Sequence, residues 1–132
     1  MASLCFRTSI VFALVAAGLA LWMTTTHDYR ALHAEVVLFV LGWVSFMAYG
    51  LYYRTIATAA VGLAKLHYVV ALVGVIVEAI GIIGTEWGNP LFDPFRIIGA
   101  VIVAIGFVLF AIVVFASEVG RRKSDRKLAC SI

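Results

Sequence analysis

Four stretches of this chain are long enough to cross a bilayer and carry almost no charge. That pattern limits the fold more than any other feature of the sequence. The hydrocarbon layer is about 30 Å thick, so a spanning helix needs about 20 consecutive apolar residues. The stretches run approximately over residues 9–25, 32–53, 64–84 and 97–118. Hydrocarbon offers no partner to a backbone N–H or C=O, so each stretch must bond internally as a helix. The expected fold class is all-α: an integral membrane, antiparallel four-helix transmembrane bundle, built as one domain with a basic tail over 119–132.

Composition agrees. The 132 residues are 64% hydrophobic, too apolar for a water-facing skin, and only 13% charged. That is about half the usual share in soluble domains. The first stretch could be read as a signal peptide. Its basic region is thin, with Arg7 alone, and no small-x-small cleavage site follows, so it is read as a retained helix.

Basic residues set the expected orientation, because Lys and Arg concentrate on the cytoplasmic side. With both termini cytoplasmic, eight fall inside: Arg7, Arg54, Lys65, Arg121, Arg122, Lys123, Arg126 and Lys127. Two, Arg30 and Arg96, fall outside. A multi-pass protein of a bacterial inner (plasma) membrane is the expected setting. The net charge of +3 does not point to nucleic acid, because most of the excess sits in one membrane-flanking tail. Anionic lipid is the expected partner of that tail. Cys5 and Cys130 lie near opposite ends and form neither a disulfide framework nor a metal site.

The outer loops cover 26–31 and 85–96. In the second, Asn89-Pro90 and Asp93-Pro94 are turn signals, and Pro94 suits the first turn of the last helix. Trp22, Trp87, Tyr29, Tyr52, Tyr53 and Tyr68 sit near expected span ends and read as headgroup-level anchors. Small residues let membrane helices approach closely. The third span places His67, Ala71, Gly74, Glu78 and Gly81 on one face; the fourth does the same with Gly99, Val103, Gly106 and Phe110. The second groups Gly42, Ser45 and Tyr49, with Tyr52 below.

The polar residues inside these spans are the candidate site. Glu78 lies about six residues, hence about 9 Å, inside the outer end of the third span. A carboxyl there must be neutralised, hydrated or paired. It reads either as a proton- or ligand-binding group or as a hydrogen-bonded structural tie. His33 opens the second span, and its imidazole could ligate iron or copper. Met23, the loop residue His27, or a second copy of His33 in a symmetric dimer could complete a heme site with it. His67 could not do so within one chain. Its depth differs from that of His33 by about 20 Å along the helices, whereas two axial ligands of one iron lie about 4 Å apart, with bonds near 2 Å. His67 is expected to bond Tyr52 or Tyr53. No hydrolase elbow, zinc-protease helix, phosphate-binding glycine loop or CxxC pair occurs.

Residues 33–46, HAEVVLFVLGWVSF, continue through Tyr49-Gly50-Leu51-Tyr52-Tyr53-Arg54. This run resembles the second helix of the catalytic subunit of heme–copper oxidases and nitric oxide reductases. That helix opens with a histidine, carries small residues and ends in aromatics and a basic residue. The chain is also similar to small four-helix membrane proteins described as oxidase-subunit-like. The run Ala64-Lys65-Leu66-His67-Tyr68 resembles the start of another helix of that superfamily. The resemblance implies that His33 is an axial heme ligand and that the chain carries electrons. The second heme ligand and the three-histidine copper site of that family have no counterpart here, so a complete oxygen-reducing enzyme is not implied.

Three functions are therefore expected from different classes. The first is a small heme-associated or oxidase-like protein, with His33, Met23 and His67 as cofactor-binding candidates, His33 as the metal ligand and one-electron transfer as its action. The second is a cofactor-free structural or assembly subunit of a homo-oligomer or larger membrane complex. The third is a small proton-coupled carrier using Glu78. Four-helix drug exporters place their carboxylate in the first helix, which is acid-free here. The run 30–35, RALHAE, only faintly echoes glutathione-dependent membrane enzymes.

Overall fold

The computed structural model describes residues 2–55 and 61–129, with side chains at 61 and 119–129 outside the description. Four helices are long and apolar enough to span a membrane: Ala2–Thr26, Leu32–Thr55, Gly62–Glu86 and Pro90–Glu118. The first is α1, Ala2–Thr26. The second is built in three parts: α2, Leu32–Val37; a π-helical segment, Leu38–Val44; and α3, Ser45–Thr55. The third lies within α4, Val61–Glu86. A 3₁₀ turn, Pro90–Phe92, leads into α5, Asp93–Ala129.

All four helices outrun the expected spans, two of them by more than a turn. α1 begins seven positions earlier than the hydropathy reading, at Ala2 rather than 9, because Arg7 and Thr8 do not interrupt a helix at a membrane surface. α5 continues through the basic cluster to Ala129, about 55 Å in all at 1.5 Å per residue. The anionic-lipid expectation for the tail concerns side chains of 119–132, which lie outside the described residues.

The packing follows the small-residue faces. Gly106 faces Ala71, Gly74 faces Val103, Gly81 faces the Arg96 backbone and Gly84 faces the Phe92 ring, so α4 and α5 touch along most of their shared length. Phe12 of α1 lies over Gly42 and Phe6 over Gly50. The buried core is small and sets four aromatic rings, Phe12, Phe46, Tyr49 and Tyr53, among small and aliphatic side chains such as Ala64, Ala71, Val75 and Val113. The skin is the reverse of a soluble protein's: Leu14 is 68% exposed, Phe115 67% and Val108 60%. Such a surface suits lipid tails and little else.

At one end, polar ties join the spans. Thr8 Oγ1 and the Tyr68 hydroxyl share a 2.6 Å hydrogen bond between α1 and α4. Tyr52 and Ser117 share one of 2.5 Å between α3 and α5. Tyr53 bonds His67 Nδ1 at 2.8 Å between α3 and α4. Tyr52, Tyr53 and Tyr68 therefore act as interhelical ties rather than as the headgroup anchors expected from their place near span ends. Each hydroxyl finds a polar atom on a neighbouring helix, which satisfies it more fully than the membrane surface would.

The opposite end is closed by turns. His27 ends α1 with φ +54, and Gly88 ends α4 with φ +82, the left-handed geometry that stops helices. Gly88 N donates to Thr85 O at 2.9 Å and Asn89 N to Gly84 O at 3.1 Å. The Asn89 side chain then caps the 3₁₀ turn by accepting from Leu91 N. Trp22 and Trp87 stand 6.0 Å apart at this level, tying the ends of α1 and α4.

Candidate functional site

A groove of about 780 Å³ opens between α2, the C-terminal half of α4 and the start of α5. Its walls are apolar: Val36 and Val37 from α2, Ile82 from α4, and Ile97, Ala100 and Val101 from α5, among others. Four ionisable side chains also line it: His33, Glu78, Glu86 and Arg96. The rim residues Leu32, Val36, Ile97 and Val101 are themselves exposed apolar side chains. The groove's mouth is therefore apolar along these side chains, the kind of surface that faces lipid in a membrane-spanning chain.

Backbone geometry places each polar group. His33 sits in the first turn of α2, where Nδ1 lies 3.2 Å from Glu86 Oε1 in the last turn of α4. Glu78 lies eight residues before Glu86, two turns or about 12 Å deeper along α4. That is deeper than the 9 Å read from hydropathy, because α4 runs on to Glu86. At Glu78, α5 crosses in close backbone contact. A Cβ added to Gly99 would fall 2.6 Å from Glu78 Cβ. Gly99 is therefore what lets the two backbones meet here, and the contact leaves the Glu78 side chain directed along the groove wall. Glu78 Oε2 is buried and has no hydrogen-bond partner among the described residues.

The sequence candidates separate. His33 and Glu78 line the one groove. Met23 is buried in the bundle, 3% exposed, and is not part of the groove lining. His27 is an exposed helix-ending residue. His67 is fully buried near the far end, packed 4.5 Å from the Tyr49 ring and 5.3 Å from Phe110, with Nδ1 bonded to Tyr53. It lies 19 residues before Glu86 on α4, so about 28 Å from the level of His33. That separation does not fit His33 and His67 as the two axial ligands of one heme within one chain. Among the described residues no cluster of three His, Cys, Asp or Glu side chains forms a metal cage.

Sequence reasoning missed Glu86 and Arg96 as site residues. Both were counted as loop or span-end charges. The signal that could have found them is their turn-level match with Glu78 on the α4–α5 seam, where Gly81 meets Arg96 and Gly99 meets Glu78.

No protein family matches this chain, and neither does any curated protein or any solved structure. The four-helix, all-α transmembrane architecture rests on the chain's own helices, and no relationship ties it to the heme–copper oxidases.

Proposed function

We propose that this protein is a small intramembrane carrier, which takes a lipophilic molecule sideways from the bilayer and holds its polar group at Glu78. The observation that carries this reading is the Glu78 carboxyl, two turns deep, with one oxygen buried and unpartnered on the wall of an apolar groove. A purely structural glutamate would have its oxygens bonded to a neighbouring helix, since an unmet polar atom in hydrocarbon is unfavourable by several kcal/mol (order of magnitude). The groove volume lies in the range of about 300–1,000 Å³ that small-molecule sites occupy.

The proposed arrangement is antiparallel, with both termini cytoplasmic and the groove in the outer half. The order of the helix pairings, with Gly74 at Val103 and Gly81 at Arg96, supports the first part. The eight-to-two division of basic residues supports the second. The heme-associated reading keeps one observation in its favour, that His33 lines the groove. Neither Met23 nor His27 is in the groove lining beside His33, so this reading stands behind the carrier.

The test is saturable binding. The protein in lipid nanodiscs is titrated with uncharged, positively charged and negatively charged amphiphiles of equal chain length, followed by tryptophan fluorescence. One-to-one binding of at least one class is expected, lost in Ala100→Trp, which fills the groove from α5, and in Ala104→Leu as a milder filling variant. No saturable binding by any class would end the carrier reading.

A further inference from the structure

The groove's charges say more about its occupant than its shape does. Of the four ionisable groups, His33 and Glu86 already face each other at 3.2 Å. Arg96 belongs to the rim. Its backbone packs at Gly81, one turn above the level where Gly99 meets Glu78. It is exposed and, among the described residues, takes no part in a salt bridge with Glu78. Glu78 is left as the deepest polar group, without a cation of its own. A carboxyl so placed must be balanced by a proton or by a cation brought to it.

We propose that the groove's occupant is a lipophilic organic cation, an ammonium group on an apolar body, and that it exchanges with a proton at Glu78. This rests on the carrier reading and narrows it to one ligand class. A resident phospholipid does not meet the geometry. Its charges stay at the headgroup level, near Trp87, while Glu78 lies about 13 Å below, nine residues along the chain. An amphiphilic anion could use Arg96 but would set its charge near Glu78 and Glu86. A cation with apolar substituents can descend along Val36, Ile97 and Val101 and place its charge against Glu78 Oε2.

The exchange balances in atoms and charge. The protonated carboxyl releases one proton to water, the ammonium takes its place beside the carboxylate, and no covalent bond to the ligand forms or breaks. Proton and cation exclude each other at one group, so over the range where Glu78 carries its proton each unit fall in pH weakens cation binding about tenfold, by linkage. The groups facing Glu78 across the groove are His33 from α2, Glu86 from its own helix and Arg96 from α5. Each is therefore a control. Arg96→Gln is expected to tighten cation binding by removing a like charge at the rim.

The experiment uses the full chain in nanodiscs and a tetraalkylammonium with one long chain, which has no proton of its own to release. It is compared with the uncharged alcohol of equal length. The expected result is tighter binding of the ammonium and release of one proton per ligand in weak buffer. Glu78→Gln is expected to lower ammonium affinity about tenfold or more, as for loss of a charge-assisted contact, to abolish proton release, and to narrow the gap between ammonium and alcohol. A circular dichroism spectrum and thermal midpoint matching those of the unsubstituted protein show that this variant is folded. Equal binding of alcohol and ammonium, or proton release that survives Glu78→Gln and disappears in Glu86→Gln or His33→Gln, overturns the cation inference and leaves the carrier reading standing. Failure of every amphiphile overturns both. A dimer seen by light scattering that dissociates in Ala100→Trp would show the groove covered by a second copy, and would likewise overturn both.

Discussion

His67 and Glu78 share one face of α4, and the bundle treats them differently. His67 is enclosed by Tyr49, Tyr53 and Phe110, with Nδ1 bonded to the Tyr53 hydroxyl. Glu78, eleven residues on, meets the backbone-close Gly99 and keeps one oxygen unpartnered. Each also keeps one buried atom without a partner among the described residues, His67 Nε2 and Glu78 Oε2, but only Glu78 lies on the wall of the groove, where the proposed carrier role uses it. The Tyr53 tie has a measurable worth. Interhelical hydrogen bonds in membranes average about 0.6 kcal/mol and reach about 1.7. Tyr53→Phe removes the hydroxyl while keeping the ring, so a destabilisation in that range is expected in detergent unfolding, with ligand binding at the far groove unaltered. A loss of groove binding instead would show that the two ends of α4 are coupled.

At the scale of elements, the second span is the unusual one. Residues 38–44 open into a π-helix between two α-helical pieces, and Ser45 Oγ reaches back to Val40 O at 3.1 Å across the widened turn. A π turn holds an extra residue relative to an α-helix, and such turns recur at functional sites. Here it sets the rotation of α2 relative to α3. The aromatic positions Phe46, Tyr49 and Tyr53 point into the core, and His33 still meets Glu86. Deleting Val40 removes that extra residue and would return the segment to α geometry with α2 and α3 still in register, whereas deleting Ala48, within α3, would turn α2 by about 100° about its axis, one residue's share of a 3.6-residue turn. The expected outcome is read by cross-linking: a His33→Cys, Glu86→Cys pair should form a disulfide in the full-length helix and in the Val40 deletion, and fail to form one in the Ala48 deletion. The π segment was not legible in the sequence. Residues 32–53 read as an even apolar span, because widening of a helix depends on where Phe12 seats against Gly42 and Phe6 against Gly50, contacts made across helices.

For the whole molecule, the outward face of Leu14, Val108, Ile112 and Phe115 requires a lipid solvent, and orientation is the property most open to direct test. In a background with Cys5 and Cys130 replaced by serine, Tyr29→Cys in the first outer loop is expected to react with a membrane-impermeant maleimide in intact cells. Thr55→Cys, at the end of α3, is expected to react only after permeabilisation. The reverse pattern would invert the topology and carry the groove to the cytoplasmic side.

The sequence by itself determined the number of spans, their helical state and the seam between α4 and α5. Bilayer thickness, backbone bonding and small-residue periodicity act through residues close in the chain. It also singled out Glu78 and His33, since polar groups in hydrocarbon stand out from composition alone. Tertiary structure decided what they do together. His33 and Glu78 are 45 positions apart and share a groove only because α2 leans on α4, while Glu86 and Arg96 join them because Gly81 and Gly99 let α5 cross at that level. His67 and Met23 were drawn out of the site by the same packing, which closed aromatic rings and helix faces around them. A site made from three helices depends on their crossing geometry, and that geometry is set by contacts no single stretch of sequence contains.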